Sequence, residues 1–332
     1  MDSIKYLKDK LHAFAQRASN RSKSSSNAFC CIEFTSKEFL FAYMTRKDGH
    51  AELQLVETIP CDVNNPLETL STFVKINELE GMDCSWMLTS DKYHLLTMDE
   101  LPVTPDEFQS AIRWQIKKLL PFPPDTAYID VFPVPVAQIS NPRKMITVVA
   151  TPASYVQTIA EQINESGLNL TTIDIQELGL RNITALYEQD DITTALVYLQ
   201  EKNSDLIITR QKAFYFSRRL DWNFEFLASN FENQETINQY LQKLALEIQR
   251  SFDYFQSQWR LPPPARVLIV TLNPNVLDIA AYMSQRLRFK VQNLNLNSVL
   301  SSKFELTSAI ESQYLAVIGG AIRNEIDYAT AD

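Results

Sequence analysis

Thr236-Ile-Asn-Gln-Tyr-Leu-Gln-Lys-Leu-Ala-Leu-Glu-Ile-Gln-Arg-Ser-Phe-Asp-Tyr-Phe-Gln-Ser-Gln-Trp259 carries apolar side chains at Ile237, Leu241, Leu244, Ile248, Phe252, Phe255 and Trp259. Their spacing alternates between three and four, so one face of an α-helix collects them and must be buried. Asn238, Gln242, Lys243, Glu247, Arg250 and Asp253 take the other side, as in a helix laid on the outside of a sheet. Leu261-Pro262-Pro263-Pro264 stops the helix, and Arg266-Val-Leu-Ile-Val-Thr271 follows. A continuous apolar run bounded by prolines reads as a strand covered on both faces. The layout is α/β.

At 332 residues the chain is long for one core and suggests two lobes. Hydrophobic residues make up 45% and mean hydropathy is -0.18, as in a soluble globular protein. The net charge of -9 argues against nucleic acid as a partner, since phosphate binding needs a basic surface. No apolar run reaches the roughly eighteen residues of a membrane span and no signal-peptide core opens the chain. A cytoplasmic location is the expectation. Cys30, Cys31, Cys61 and Cys84 lack metal-ligand or paired spacing and read as reduced core residues. His12, His50 and His94 are scattered, so no metal is expected. Six glycines in the whole chain compare with about 7% in average usage. Loops that cradle phosphate need glycine for close backbone approach, and this chain has little to build them with.

In residues 1–27, Ile4, Leu7, Leu11 and Phe14 line one helical stripe, and Lys5, Lys8, Lys10, Arg17, Arg21 and Lys23 outnumber Asp2 and Asp9 by four. Such a basic amphipathic helix either lies on an anionic membrane surface or partner, with Leu7, Leu11, Phe14, Lys5 and Lys8 as contacts, or docks on the protein itself or frays. Ser22 to Ser26 form a tether. Ala28 to Phe34, Glu38 to Thr45 and Ala51 to Pro60 read as a strand meander, followed by a helix from Pro66 and strands near Ser85 and His94. Thr104-Pro105-Asp106-Glu107 is a capped helix start. Two strands follow, joined by Ser140 to Arg143. A helix then ends at Gly167, a C-cap, and leads to a strand, Asn169 to Ile173. Asp174 and Glu177 read as a capping pair for the next helix. Thr194 to Leu199, Ser204 to Thr209 and Ala213 to Arg219 repeat the meander. A helix from Ile310 closes the second lobe, and Gly319-Gly320 is assigned to its opening turns and to close helix packing.

Three stretches resemble the PilM family, the actin-like proteins of type IV pilus assembly: Leu244 to Phe255, Ala111-Ile-Arg-Trp-Gln-Ile-Lys-Lys-Leu-Leu-Pro-Phe-Pro123 with Ile129-Asp130, and Leu168 to Asp174. The likeness spans roughly residues 28 to 323 and is greatest to the MshI branch of mannose-sensitive haemagglutinin pili. It implies an actin-like, ribonuclease-H-like two-lobed fold with a small α+β insertion. The boundaries are 28–100 with 174–190 for the first lobe, 101–173 for the insertion, 191–324 for the second lobe and 325–332 for a tail.

The resemblance also places two phosphate hairpins and a glycine-rich adenosine loop. Where the family reads Asp-Ile-Gly-Ser, this chain has Ile32-Glu33-Phe34-Thr35-Ser36-Lys37. The second Asp-Ile-Gly is met by Tyr198-Leu199-Gln200, and the third glycine run by Thr271-Leu272-Asn273-Pro274-Asn275. Should ATP bind, Glu33, Ser36 and Lys37 are the candidate ligands. The expectation is that none does: no cofactor, no metal and no catalytic residue. Trp114 and Phe122 either line a groove that takes the tail of a PilN-like inner-membrane protein, as in the family, or, for Trp114, pack on the lobe beneath. The function implied is a cytoplasmic adaptor on the inner-membrane face of an MSHA-like pilus machine, in contact with further alignment or motor components. The alternatives are a divergent ATPase and a GspL-like secretion component.

Overall fold

The computed structural model describes residues 28–47, 50–62, 64–135, 144–188, 191–201, 204–230, 232–271, 278–287 and 289–323. The basic N-terminal stretch with Leu7, Leu11, Phe14, Lys5 and Lys8, the turn at 140–143, residues 272–275 and the tail 325–332 lie outside them.

β1 (Ala28–Phe34), β2 (Glu38–Lys47) and β3 (His50–Pro60) form the first antiparallel meander. Helix α1 (Leu67–Ile76) leads to β4 (Asp83–Leu88), which pairs parallel to β1. Then come β5 (His94–Asp99), α2 (Pro105–Ile116), β6 (Ala127–Val134) and β7 (Met145–Pro152). The chain returns to the first sheet through α3 (Ala153–Glu165) and β8 (Asn169–Ile175), which lies parallel beside β4. α4 (Gln176–Tyr187) crosses to the second meander, β9 (Thr194–Leu199), β10 (Ser204–Arg210) and β11 (Ala213–Leu220). α5 (Phe224–Ser229), α6 (Gln234–Trp259), β12 (Arg266–Thr271), α7 (Ile279–Arg286) and β13 (Lys290–Asn293) follow. β14 (Ser301–Ser302) and α8 (Ser308–Ala321) end the described chain. Three sheets result, ordered β14-β3-β2-β1-β4-β8, β11-β10-β9-β12-β13 and β5-β7-β6.

The long helix behaves as its spacing requires. All seven stripe residues of α6 are buried, and Asn233 caps it by accepting from the Thr236 amide at 3.1 Å. Its stop is the left-handed Arg260, φ 53°. Inside the second sheet, β12 divides its side chains between two cores. Val267 and Ile269 pack under α6, whereas Leu268 and Val270 join the core shared between the lobes. Thr104 and Glu107 form the expected helix start, with the Thr104 hydroxyl donating to Glu107 Oε2 at 2.9 Å. Gly167 sits just past α3 with φ +105°, where a side chain would be strained.

Three boundaries move. β5 hydrogen-bonds along its length to β7, from His94 opposite Ala150 to Asp99 opposite Met145, so the insertion begins near His94 and not at 101. It ends at Pro152, because α3 buries Val156, Ile159 and Ile163 with Leu70 and Val74 of the first lobe. β14 adds to β3 of the first sheet, so 191–324 is not confined to the second lobe.

α4 and α8 lie between the two large sheets, with nine of twelve and ten of fourteen positions buried respectively. They touch through glycine. A Cβ on Gly319 would stand 2.1 Å from the carbonyl oxygen of Gly179, and one on Gly179 would stand 2.7 Å from that of Ala316. Gly319-Gly320 therefore serves close packing, but in the last turn of its helix and not the first. Asn182 Nδ2 donates to the Gly319 carbonyl at 2.8 Å across the same crossing. Gly319→Ala must push backbone from backbone, and is expected to cost roughly 3 kcal/mol or more. A urea denaturation midpoint within error of the wild type would contradict this packing account.

Candidate functional site

The hairpins after β1 and β9 are the places where the family resemblance puts phosphate, and α8 contacts β1 and is bonded by Tyr198 of β9. In β1, Phe34 turns into the first-lobe core, its ring 5.9 Å from Phe39 and 6.3 Å from Trp86. The following turn is closed by Thr35 N donating to Glu38 O at 2.9 Å. No residue of this turn has positive φ, so it lacks the alternating right- and left-handed form of an anion-binding nest. Ser36 and Lys37 are exposed on it. Glu33 points the other way and is buried, 8% exposed. Burial, with the charge of Asp91 adding, pushes its carboxyl up to about 7, so its surroundings work against the charged form.

At the second hairpin the phenol of Tyr198 occupies the place of the expected acid. It is 1% exposed and donates to the Ser312 carbonyl in α8 at 2.6 Å. Burial and the neighbouring Glu33 and Asp205 raise its pKa. A neutral ring thus ties β9 to the interlobe helix. Thr271 ends β12 with its hydroxyl buried and unpaired among the described residues.

Beside these two residues lies a network that the sequence did not reveal. Tyr93 donates to Glu177 Oε2 at the start of α4, and Ser217 in β11 donates to Glu177 Oε1 at 3.5 Å. Gln176 Nε2 donates to Asp205 Oδ2 at 3.3 Å, and Arg219 pairs with Asp205 at 3.6 Å. Burial, then Asp205, push Glu177 up to about 7. The capping assignment of Asp174 and Glu177 does not hold. Asp174 remains in β8 opposite Met87, 3% exposed, and pairs with Arg323 beyond α8. The helix begins at Gln176 without a side-chain cap. The available signal was Gln176, Glu177, Asn182 and Thr184, polar residues mixed among the apolar ones of α4, all of them buried.

On the inserted subdomain, Trp114 is 77% exposed, which overturns the alternative that it packs on the lobe beneath. Leu119, 55% exposed, and the exposed Lys117 and Lys118 lie close along the chain. Phe122 is half-buried against the subdomain's own core, its ring 5.6 Å from His94, and makes no ring contact with Trp114. Among the described residues no helix is long and apolar enough to cross a membrane.

No protein-family model matches the chain, and no curated protein sequence matches it. Among solved structures, a chain of the PilM–PilN type IV pilus biogenesis complex superposes with a TM-score of 0.67 at 16% identity, covering 90% of this chain and 98% of that one. A Bacteroides thetaiotaomicron protein described as having an actin-like ATPase fold gives 0.49 at 8% identity, over 83% and 93%. The cytoplasmic domain of EpsL, an inner-membrane component of the type II secretion system of Vibrio cholerae, gives 0.45 at 10%, over 79% and 97%. The fold is the actin-like ATPase fold.

A buried acid whose pKa rises from 4.5 to about 7 on folding binds extra protons in the native state between those values. Its contribution to stability is full below about 4.5 and lost as pH climbs through about 7. Glu33→Gln is expected to remove that slope, gaining up to about 3 kcal/mol at pH 8 relative to its effect at pH 4.5. Parallel urea titrations across this range measure it, and an unchanged slope would place Glu33 in water.

Proposed function

We propose that this chain is a PilM-like component of a type IV pilus machine, which grips the tail of a PilN-like protein on the cytoplasmic face of the inner membrane and has given up nucleotide chemistry. The observation that carries the reading is the superposition on 98% of a chain from the PilM–PilN complex. The three family-like stretches support it, and the resemblance to the MshI branch supports an MSHA-type pilus as the setting. The lack of glycine at the first hairpin, where Phe34 adds bulk, and Tyr198 in place of the acid at the second support the loss of ATP binding: one side chain fills core, the other spans to α8. Exposed Trp114, presented on a firm helix, is the anchor expected for a captured segment. Indole is a large, stiff contact surface of the kind that dominates binding hot spots.

Calorimetry with synthetic tail peptides of PilN-like proteins tests the adaptor reading. Binding is expected, and Trp114→Ala should weaken it roughly 30-fold, the scale of a hot-spot residue. The fold should be untouched, because the side chain is mostly in water. Absence of binding by the wild type removes the adaptor. Titration with Mg-ATP should give no heat beyond dilution, and saturable binding would favour a divergent ATPase instead.

A further inference from the structure

The inserted subdomain does more than project from the first lobe; one edge of it is seated on the second. Phe132 of β6 meets Phe214 of β11 edge to face, with centroids 6.0 Å apart. Val134, at the end of β6, is 2% exposed and belongs to the second-lobe core, and Met145 packs against that core too. This is the apolar end of a seam. Its polar end is Glu177, which accepts from Tyr93, at the root of β5, and from Ser217 of β11. One carboxyl on α4 thereby links the root of the insertion to the second lobe.

We propose that this seam is a proton-operated clasp: with Glu177 neutral it is shut, and ionisation of Glu177 lets it open to water. A neutral carboxyl accepts from Tyr93 on one oxygen and shares a proton with Ser217 on the other, so both ends of the group are satisfied without charge. The ionised form faces a harder setting. The charged groups around it are Asp205 of β10 and Arg219 of β11; the hydrogen bond from Tyr93, a backbone amide and Arg219 favour the charged form, but burial and Asp205 outweigh them. Arg219 is half-exposed and already pairs with Asp205, so the second negative charge is poorly offset. A buried carboxylate in that position gains most from water. Water reaches it by separating β6 from β11, where the rest of the seam is a narrow apolar contact. Burial pushes the carboxyl up to about 7, which puts the change in the range of ordinary cell conditions.

Hydrogen exchange of the full chain at pH 6 and pH 8.5, corrected for intrinsic rates, reads the seam directly. Amides of β6 and β11 are expected to exchange roughly tenfold faster or more at pH 8.5, while amides in the middle of α6 serve as a reference and stay unchanged relative to them. Glu177→Gln should be flat between the two pH values. No acceleration in the wild type, or equal acceleration in Glu177→Gln, overturns the clasp. The wild-type series needs no substitution, so a variant that misfolds does not shield the proposal. Nothing in this readout involves a pilus partner, so the clasp and the adaptor reading fail separately.

Discussion

The backbone of α8 rests against the backbone of α4 at Gly319 and Gly179, and the rest of the molecule is arranged around that contact. Two sheets face each other across these two helices, and the space is fixed by how closely the helices approach. Any side chain at the crossing would hold the sheets apart and expose the core they share, in which Cys31, Ala42 and Leu53 of one lobe meet Leu196, Ile207 and Leu268 of the other. Gly320 makes the same demand toward the first sheet, where a Cβ would lie 2.4 Å from Cys31 Sγ. A chain that spends half of its six glycines here has concentrated them at packing positions, and the hairpins, where an actin-like nucleotide site would need them, go without.

The glycine economy and the bulk at the hairpins are two sides of one arrangement. Phe34 contributes to an aromatic cluster with Phe39, Phe73 and Trp86, and Tyr198 adds a hydrogen bond that fixes β9 to α8. The interlobe region is held by the protein's own polar side chains: Gln176, Glu177, Asp205 and Arg219, with Asp174 and Arg323 on the other side. Buried ionisable groups of this kind are costly unless paired. Here the pairing is distributed over elements from every part of the chain, which makes the relative placement of those parts matter.

Elements with a strong local signature were legible from sequence. The stripe of α6, the proline stop after it, the Thr104 start of α2 and the six strands of the two meanders needed only neighbours in sequence to be recognised. What failed depended on distant partners. The extent of the insertion was hidden because the partner of β5 is β7, some fifty residues on. Asp174 and Glu177 had the spacing of a cap, yet parallel pairing of β8 with β4 keeps Asp174 extended, and tertiary pairing outweighs a motif worth about 1 kcal/mol. Whether Trp114 lines a groove or packs on the lobe beneath depended on how far the insertion stands from the lobes, which no local pattern carries. The Glu177 network joins residues from 93 to 219 and had no local signature at all.

The strand β14 is only two residues long, yet it carries the chain from the second lobe back to β3 of the first, and α8 then lies across β1, β2 and β4. During translation the first meander therefore waits for α8. At roughly 5–20 residues per second, the interval between Ala28 and Ala321 is on the order of tens of seconds, in which the face of the first sheet that α8 will cover remains greasy and open. Transiently open apolar surface of this kind is what makes an incomplete chain prone to aggregate, and here it closes only when α8 arrives.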